Sequence, residues 1–192
     1  MANKRLRILD IDIENRPLSY LGKDFTTADI TAIASSFVGS SEITVWLLGI
    51  DGGNWSIGET QAMLLGFRDL YDHADIVTGH FIRKHDLPYL SWAMIEAGLD
   101  QLSPKQTQDT YLDCPPGHYA SKGQENLAQM LGVKANKVHM TQQDWREANR
   151  LMPKGIEKVR TRVVGDVRQH KELRAKMLER GLLGRTKVWR AA

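Results

Sequence analysis

The run RILDIDIEN, residues 7–15, sets Asp10, Asp12 and Glu14 two residues apart among isoleucines. In an extended strand that alternation puts the three carboxylates on one face and Ile11 and Ile13 on the other. Like charges at this spacing repel one another and resist burial. Such a face is tolerated where water covers it or where a cation sits on it. Carboxylate oxygens suit Mg²⁺ and Mn²⁺. Two such ions about 3.5–4 Å apart can activate a water and stabilise the leaving oxygen of a phosphodiester. Asp86 and Asp166 are the other acids that could reach the same centre. A D-x-E pair alone is common on solvated strands, so its weight comes from its company. Asp10 reads as an edge or solvated acid rather than as a further ligand.

The elements that must carry these acids follow from periodicity and turn residues. Residues 5–14 read as a first strand, followed by a polar loop with Pro17 and Gly22. The β-rich runs 30–39 and 42–50 form a hairpin. Helical spacing through Met63, Leu64, Phe67 and Leu70 places a helix over 59–74. DIVTGH (75–80) is a short buried strand, and the helix beginning at HDLPYL ends at Gly98. KQTQDTYLDC (105–114) offers a fifth strand, stopped by Pro115 and Pro116. Short helices over 125–133 and 141–151 precede a break at Pro153-Lys154-Gly155. A long helix then runs from Ile156 to Arg180, with Val159, Val163, Val167, Leu173 and Met177 on one stripe. The expected class is mixed α/β, one sheet with helices on both faces.

With 192 residues, the chain is expected to form a single domain over 1–192 with a basic tail from about 181. Cys114 is the only cysteine, which rules out an intrachain disulfide and suits a reducing compartment. The basic start MANKRLR meets acids at once, and the longest run without a formal charge, Ile30–Ser41, is too short to span a bilayer. A cytoplasmic protein is expected. The net charge of +3 is unevenly spread, with 14 Lys/Arg against 5 Asp/Glu in residues 146–192, and 12 against 18 before them. That split points to an acidic site in the first part and a polyanion-facing surface in the second. The tryptophans read as packing residues, with Trp189 in the basic tail as a candidate for stacking on a base.

LDIDIEN, IVTGHFIRKHDLPYL and RVVGDVRQHKELR together resemble, in order and spacing, the three motifs of the DEDD superfamily of 3′→5′ exonucleases. That superfamily has a ribonuclease-H-like fold and includes proofreading subunits and domains of replicative DNA polymerases; small free-standing phage members look most similar. QDTYLD resembles the family's Asp-Thr strand and ENLAQMLGV the helix after it. The resemblance implies a five-stranded mixed sheet with an antiparallel second strand and a site at the carboxyl ends of the first and fourth strands. It implies a two-metal enzyme, with Mg²⁺ or Mn²⁺, that removes nucleotides from the 3′ end of single-stranded DNA in replication, proofreading or repair. Asp12 would bridge both ions, Glu14 and Asp166 would complete one, and Asp86 would hold the other. Asn15, His80 and Arg162 fall where substrate would be contacted. The implied partners are DNA ends and polymerase or replication proteins, with no membrane. The implied compartment is the cytoplasm, that of a bacterial host if the chain is phage-encoded.

Departures from the family pattern matter too. Phe81 stands in place of the usual Asn after Gly-His, and His85 in place of the usual Phe before the motif-two Asp. The family's Tyr or His before the last Asp is replaced by Arg162 and Thr161. Arginine stays protonated at any working pH and cannot be a general base. The chemistry must then lean on the metal ions, borrow another group, or run slowly. His170, one turn beyond Asp166, is the alternative base. Two other readings stay open: a catalytically impaired nucleic-acid-binding module, and a ribonuclease on the same fold.

Overall fold

The computed structural model of the protein describes residues 6–16, 29–49, 56–117 and 121–191. The expected loop with Pro17 and Gly22 lies outside them, as does His118. In chain order the elements are β1 (Ile8–Arg16), β2 (Asp29–Phe37), β3 (Thr44–Leu47), α1 (Ile57–His73), β4 (Ile76–Gly79) and α2 (Asp86–Glu96). They continue as β5 (Lys105–Asp109), α3 (Gln124–Met130), α4 (Gln142–Asn149), α5 (Pro153–Glu179) and β6 (Lys187–Trp189).

One mixed sheet runs in the order β3-β2-β1-β4-β5-β6. β1 lies antiparallel to β2 and parallel to β4, and β4 is parallel to β5. The expected hairpin is present as β2 and β3. Among the described residues the sheet has six strands, not five. The added strand comes from the segment read as a basic tail: Lys187–Trp189 pairs antiparallel with Lys105–Thr107. Thr107 Oγ1 donates to the Lys187 carbonyl at 2.8 Å, and Trp189 is buried in the core. Trp189 is therefore a packing anchor and not a stacking platform. β5 is also shorter than expected. Asp109 takes the N–H groups of Tyr111 and Leu112 into a turn, and this ends the strand.

The two faces of the sheet are covered differently. Leu9, Ile11 and Ile13 of β1 pack with Met63, Leu64, Phe67 and Tyr71 of α1 and with Leu87, Leu90 and Met94 of α2. Burying such side chains stabilises by roughly 1.5–3 kcal/mol apiece. Ser56 and Glu59 form a capping box that fixes where α1 begins. On the opposite face Ala32 and Ala34 meet Val159, Val163 and Val167 of α5, while Leu173 and Met177 pack with Cys114 and Leu127. The whole expected stripe of α5 is buried. Pro153 does not break this helix but opens it, at a position where its missing N–H costs nothing. Gly155 lies against α4, where a Cβ would come within 2.2 Å of the Ala148 nitrogen, so only glycine allows this crossing.

Candidate active site

β1 and α5 deliver the acids. Across the β1–β2 pairing, Asp12 faces Ala34 and Glu14 faces Ala32. Partners in register share a face, so these alanines keep the ground beside both carboxylates low enough for α5 to approach. α5 brings Asp166, and ligand oxygens of Asp12, Glu14 and Asp166 all lie within 4.8 Å of one another. An irregularity in the ladder between Glu14 and Asn15 bends the strand at this point. Asp86 is the first residue of α2. Its Oδ1 accepts the Ile13 N–H at 3.2 Å, which pins it to the strand carrying the other acids. Helix α2 receives no side-chain cap from the preceding residue, His85, and Asp86 sits in its first turn.

The turn into Asp86 is tight. A Cβ on Gly79 would lie 2.8 Å from the Ile11 carbonyl and closer still to Ile82, so the Gly of Gly-His is required by the approach of β4 to β1. Phe81, where the resembled family carries Asn, has φ of +67°, a conformation Asn tolerates and a bulky residue does not. Two contacts hold it there: its N–H donates to Asp109 Oδ1 at 2.9 Å, and its ring meets Tyr111 edge-on with centroids 4.8 Å apart.

Burial, followed by the charges of Asp86, Asp166 and Glu14, pushes the Asp12 carboxyl well above the usual carboxylate range. Burial also raises Glu14, to about 7, against the pull of Arg162. Two protein cations partly relieve the crowding. Arg162 Nε donates to Glu14 Oε1, with its Nη2 3.6 Å from Asp166 Oδ2. Lys137 Nζ lies 2.9 Å from the same Asp166 oxygen. The other oxygen, Asp166 Oδ1, is buried and has no hydrogen-bond partner among the described residues. A buried bare carboxylate oxygen beside two further carboxylates fits a hard divalent cation, and these three residues could hold one.

The remaining expected residues fall around this centre. Asn15 follows the bend of β1 and is half-buried. Arg162 is clamped: besides Glu14 it donates to the Val138 carbonyl at 3.1 Å and lies over the Trp145 ring. His80 Nδ1 is 2.9 Å from Thr110 Oγ1, and burial, with His170 and Lys137 nearby, pushes its pKa down to about 3. His170 is buried, and both ring nitrogens are engaged, Nδ1 with Asp10 Oδ1 at 2.7 Å and Nε2 with Thr110 Oγ1 at 3.0 Å. To act as a base it would have to give up one of these partners. Asp10 is not a solvated edge acid; it is fully buried as the partner of His170. Alternation places it on the acidic face correctly, but only the position of α5 reveals what covers it. Lys137 has no signal in the sequence, since an isolated lysine in the loop before α4 has no spacing to mark it.

No family model and no curated protein matches the sequence. Among solved structures, the family B DNA polymerase from the hyperthermophilic archaeon Pyrobaculum calidifontis superposes with a TM-score of 0.66 at 19% identity. The match covers 91% of this chain and 25% of that one. This chain shares its fold with part of a DNA polymerase. It spans about a quarter of that polymerase's length, so the likeness concerns architecture alone. Among the described residues no helix is long and apolar enough to cross a membrane.

Proposed function

We propose that this chain is a two-metal-dependent 3′→5′ exonuclease that hydrolyses phosphodiester bonds at the 3′ end of single-stranded DNA, in replication, proofreading or repair. The observation that carries the reading is the convergence of Asp12, Glu14 and Asp166 with a bare Asp166 oxygen, and with Asp86 pinned alongside. A fold shared with part of a DNA polymerase supports DNA as the polymer.

Asp12, Glu14 and Asp166, with Asp86 alongside, are the residues that would hold the ions. Mg²⁺ or Mn²⁺, when bound, would supply the charge that activates a water and stabilises the leaving oxygen. The chain's own groups do the rest. Arg162 is kept charged: burial would lower its pKa, but Glu14 and Asp166 raise it. It serves as a fixed cation for the scissile phosphate and not as a proton acceptor. Lys137 has the same chemistry on the other side of Asp166. Both can pass from carboxylate to phosphate, exchanging one charge-assisted hydrogen bond for another. His80, held neutral by burial, and Asn15 are the groups assigned to the terminal nucleotide.

A second reading draws on the same two cations. With Lys137 and Arg162 seated on the acids, the site could be a retired one that binds nucleic acid without cutting it. Strands labelled at either end, as DNA and as RNA, are incubated with Mg²⁺ or with EDTA. Loss of the 3′ label first, release of mononucleotides and arrest by EDTA support the exonuclease. Early release of a 5′ label, cutting of closed circles, or turnover in EDTA overturns it. Binding without hydrolysis favours the second reading, and preference for RNA assigns a ribonuclease.

A further inference from the structure

Trp92 is 61% exposed on α2, the most exposed of the large apolar side chains among the described residues. Val188 of β6, 50% exposed, and Arg190 just after that strand line the same cleft as Trp92. This cleft, between α2 and β6, is about 480 Å³. Its described lining holds Arg83, Lys84 and Arg190 and no acid. Arg83 is committed to Asp113 at 2.6 Å, whereas Lys84 and Arg190 are exposed and pair with no carboxylate among the described residues. Ser91 also lines the cleft. It is only 4% exposed, and its Oγ has no hydrogen-bond partner among the described residues.

We propose that this cleft is a second contact site for single-stranded DNA, separate from the carboxylate centre. A base stacks on Trp92, and the flanking phosphates meet Lys84 and Arg190. The proposal rests on the exonuclease reading and says how the strand is held away from its 3′ end. Lys84 lies two residues before Asp86, in the connection between β4 and α2. An aromatic face beside unpaired cations, with no acid in the lining, is the chemistry of sequence-tolerant single-strand binding.

Binding is measured in EDTA, so that no hydrolysis is needed, with oligothymidylates of about 4 and about 16 nucleotides. Trp92→Ala should weaken binding of the long strand about 10-fold and leave the short strand unchanged. Lys84→Gln and Arg190→Gln should each reduce the salt dependence of long-strand binding by about one counterion. Hydrolysis of the short strand in Mg²⁺ should be unaffected by Trp92→Ala, whose side chain is exposed enough to leave folding intact. Equal affinities of wild type and Trp92→Ala for the long strand would overturn the proposal. So would occupation of the cleft by an acidic, aromatic-containing peptide that the long strand fails to displace. If wild type hydrolyses nothing, the exonuclease reading fails while the binding comparison still decides the cleft.

Discussion

Crowding of acids at the candidate site should make the metal-free protein weaken as pH rises, in a way that can be read at one residue. Glu14 is raised from 4.5 to about 7 by burial, with Asp166 adding to the shift and Arg162 opposing it. The folded protein therefore binds this proton more tightly than the unfolded chain does. The resulting stability is complete below about pH 4.5 and is lost as pH climbs through about 7, a loss of about 3 kcal/mol by linkage. His80 acts with the opposite sign over part of the same range. Burial holds it neutral, with a pKa of about 3, so its contribution is lost as pH falls below 6.5. The informative quantity is thus the difference between wild type and Glu14→Gln, which share His80. In urea unfolding with EDTA present, wild type should lose about 2–3 kcal/mol relative to Glu14→Gln between pH 5 and 8. The Glu14–Arg162 pair is already contained in this figure, since it pulls Glu14 down against the burial that raises it. A difference that stays flat from pH 5 to 8 would refute the account of crowded, buried carboxylates. Asp12→Asn should show the same trend, since Asp12 is raised by burial and by three neighbouring acids.

Mg²⁺ should reverse this pH trend, because its ligands must be deprotonated; at 100 times its Kd it should add about 2.7 kcal/mol, read as a rise in Tm that is larger at pH 8 than at pH 6. His170→Ala should unfold at markedly lower denaturant, by about 3–5 kcal/mol, because it strands Asp10 as a buried unpaired acid. If His170 is instead the substitute base, a folded His170→Ala would lose turnover while keeping its DNA affinity. Arg162→Ala should slow cleavage and weaken DNA binding together, measured by single-turnover kinetics and a binding titration, if the guanidinium that now pairs with Glu14 passes to the scissile phosphate as proposed. Gly155→Ala should cost about 1–3 kcal/mol in thermal melting, because the added methyl collides with the backbone of α4.

Much of this architecture is legible in the sequence because it is written in local periodicity. The stripe of α5, the hairpin of β2 and β3, and the acid alternation on β1 all depend on spacing along one element. The pairing of β6 is not legible. Three residues with one exposed valine carry no period, and the strand exists only because β5 offers an open edge and Trp189 packs into the core beside it. The break expected at Pro153 is instead a helix start, for a related reason. Proline can end one helix or open the next, and here the apolar stripe of α5 on its C-terminal side makes it an opening residue. At the site, Asp12, Glu14 and Asp166 can be named from their order, and Asp86 from the motif around it. Their protein cations cannot. Arg162 is visible as a departure, but its bond to Glu14 spans most of the chain, and Lys137 reaches Asp166 from a loop without pattern. The Asp10–His170 pair has the same character: each residue stands out in the sequence, and only tertiary placement joins them.

If Asp12, Glu14, Asp86 and Asp166 hold the metal ions that hydrolysis requires, metal binding and turnover must be lost together. Mn²⁺ binding, followed by titration on wild type and on Asp166→Ala, with strand hydrolysis measured on the same samples, tests it most directly. Two ions bound by wild type, weakened or lost Mn²⁺ binding in the variant, and abolished hydrolysis with an unchanged fold are the predicted results. Wild-type turnover by Asp166→Ala, or Mn²⁺ binding that the substitution leaves untouched, would contradict it.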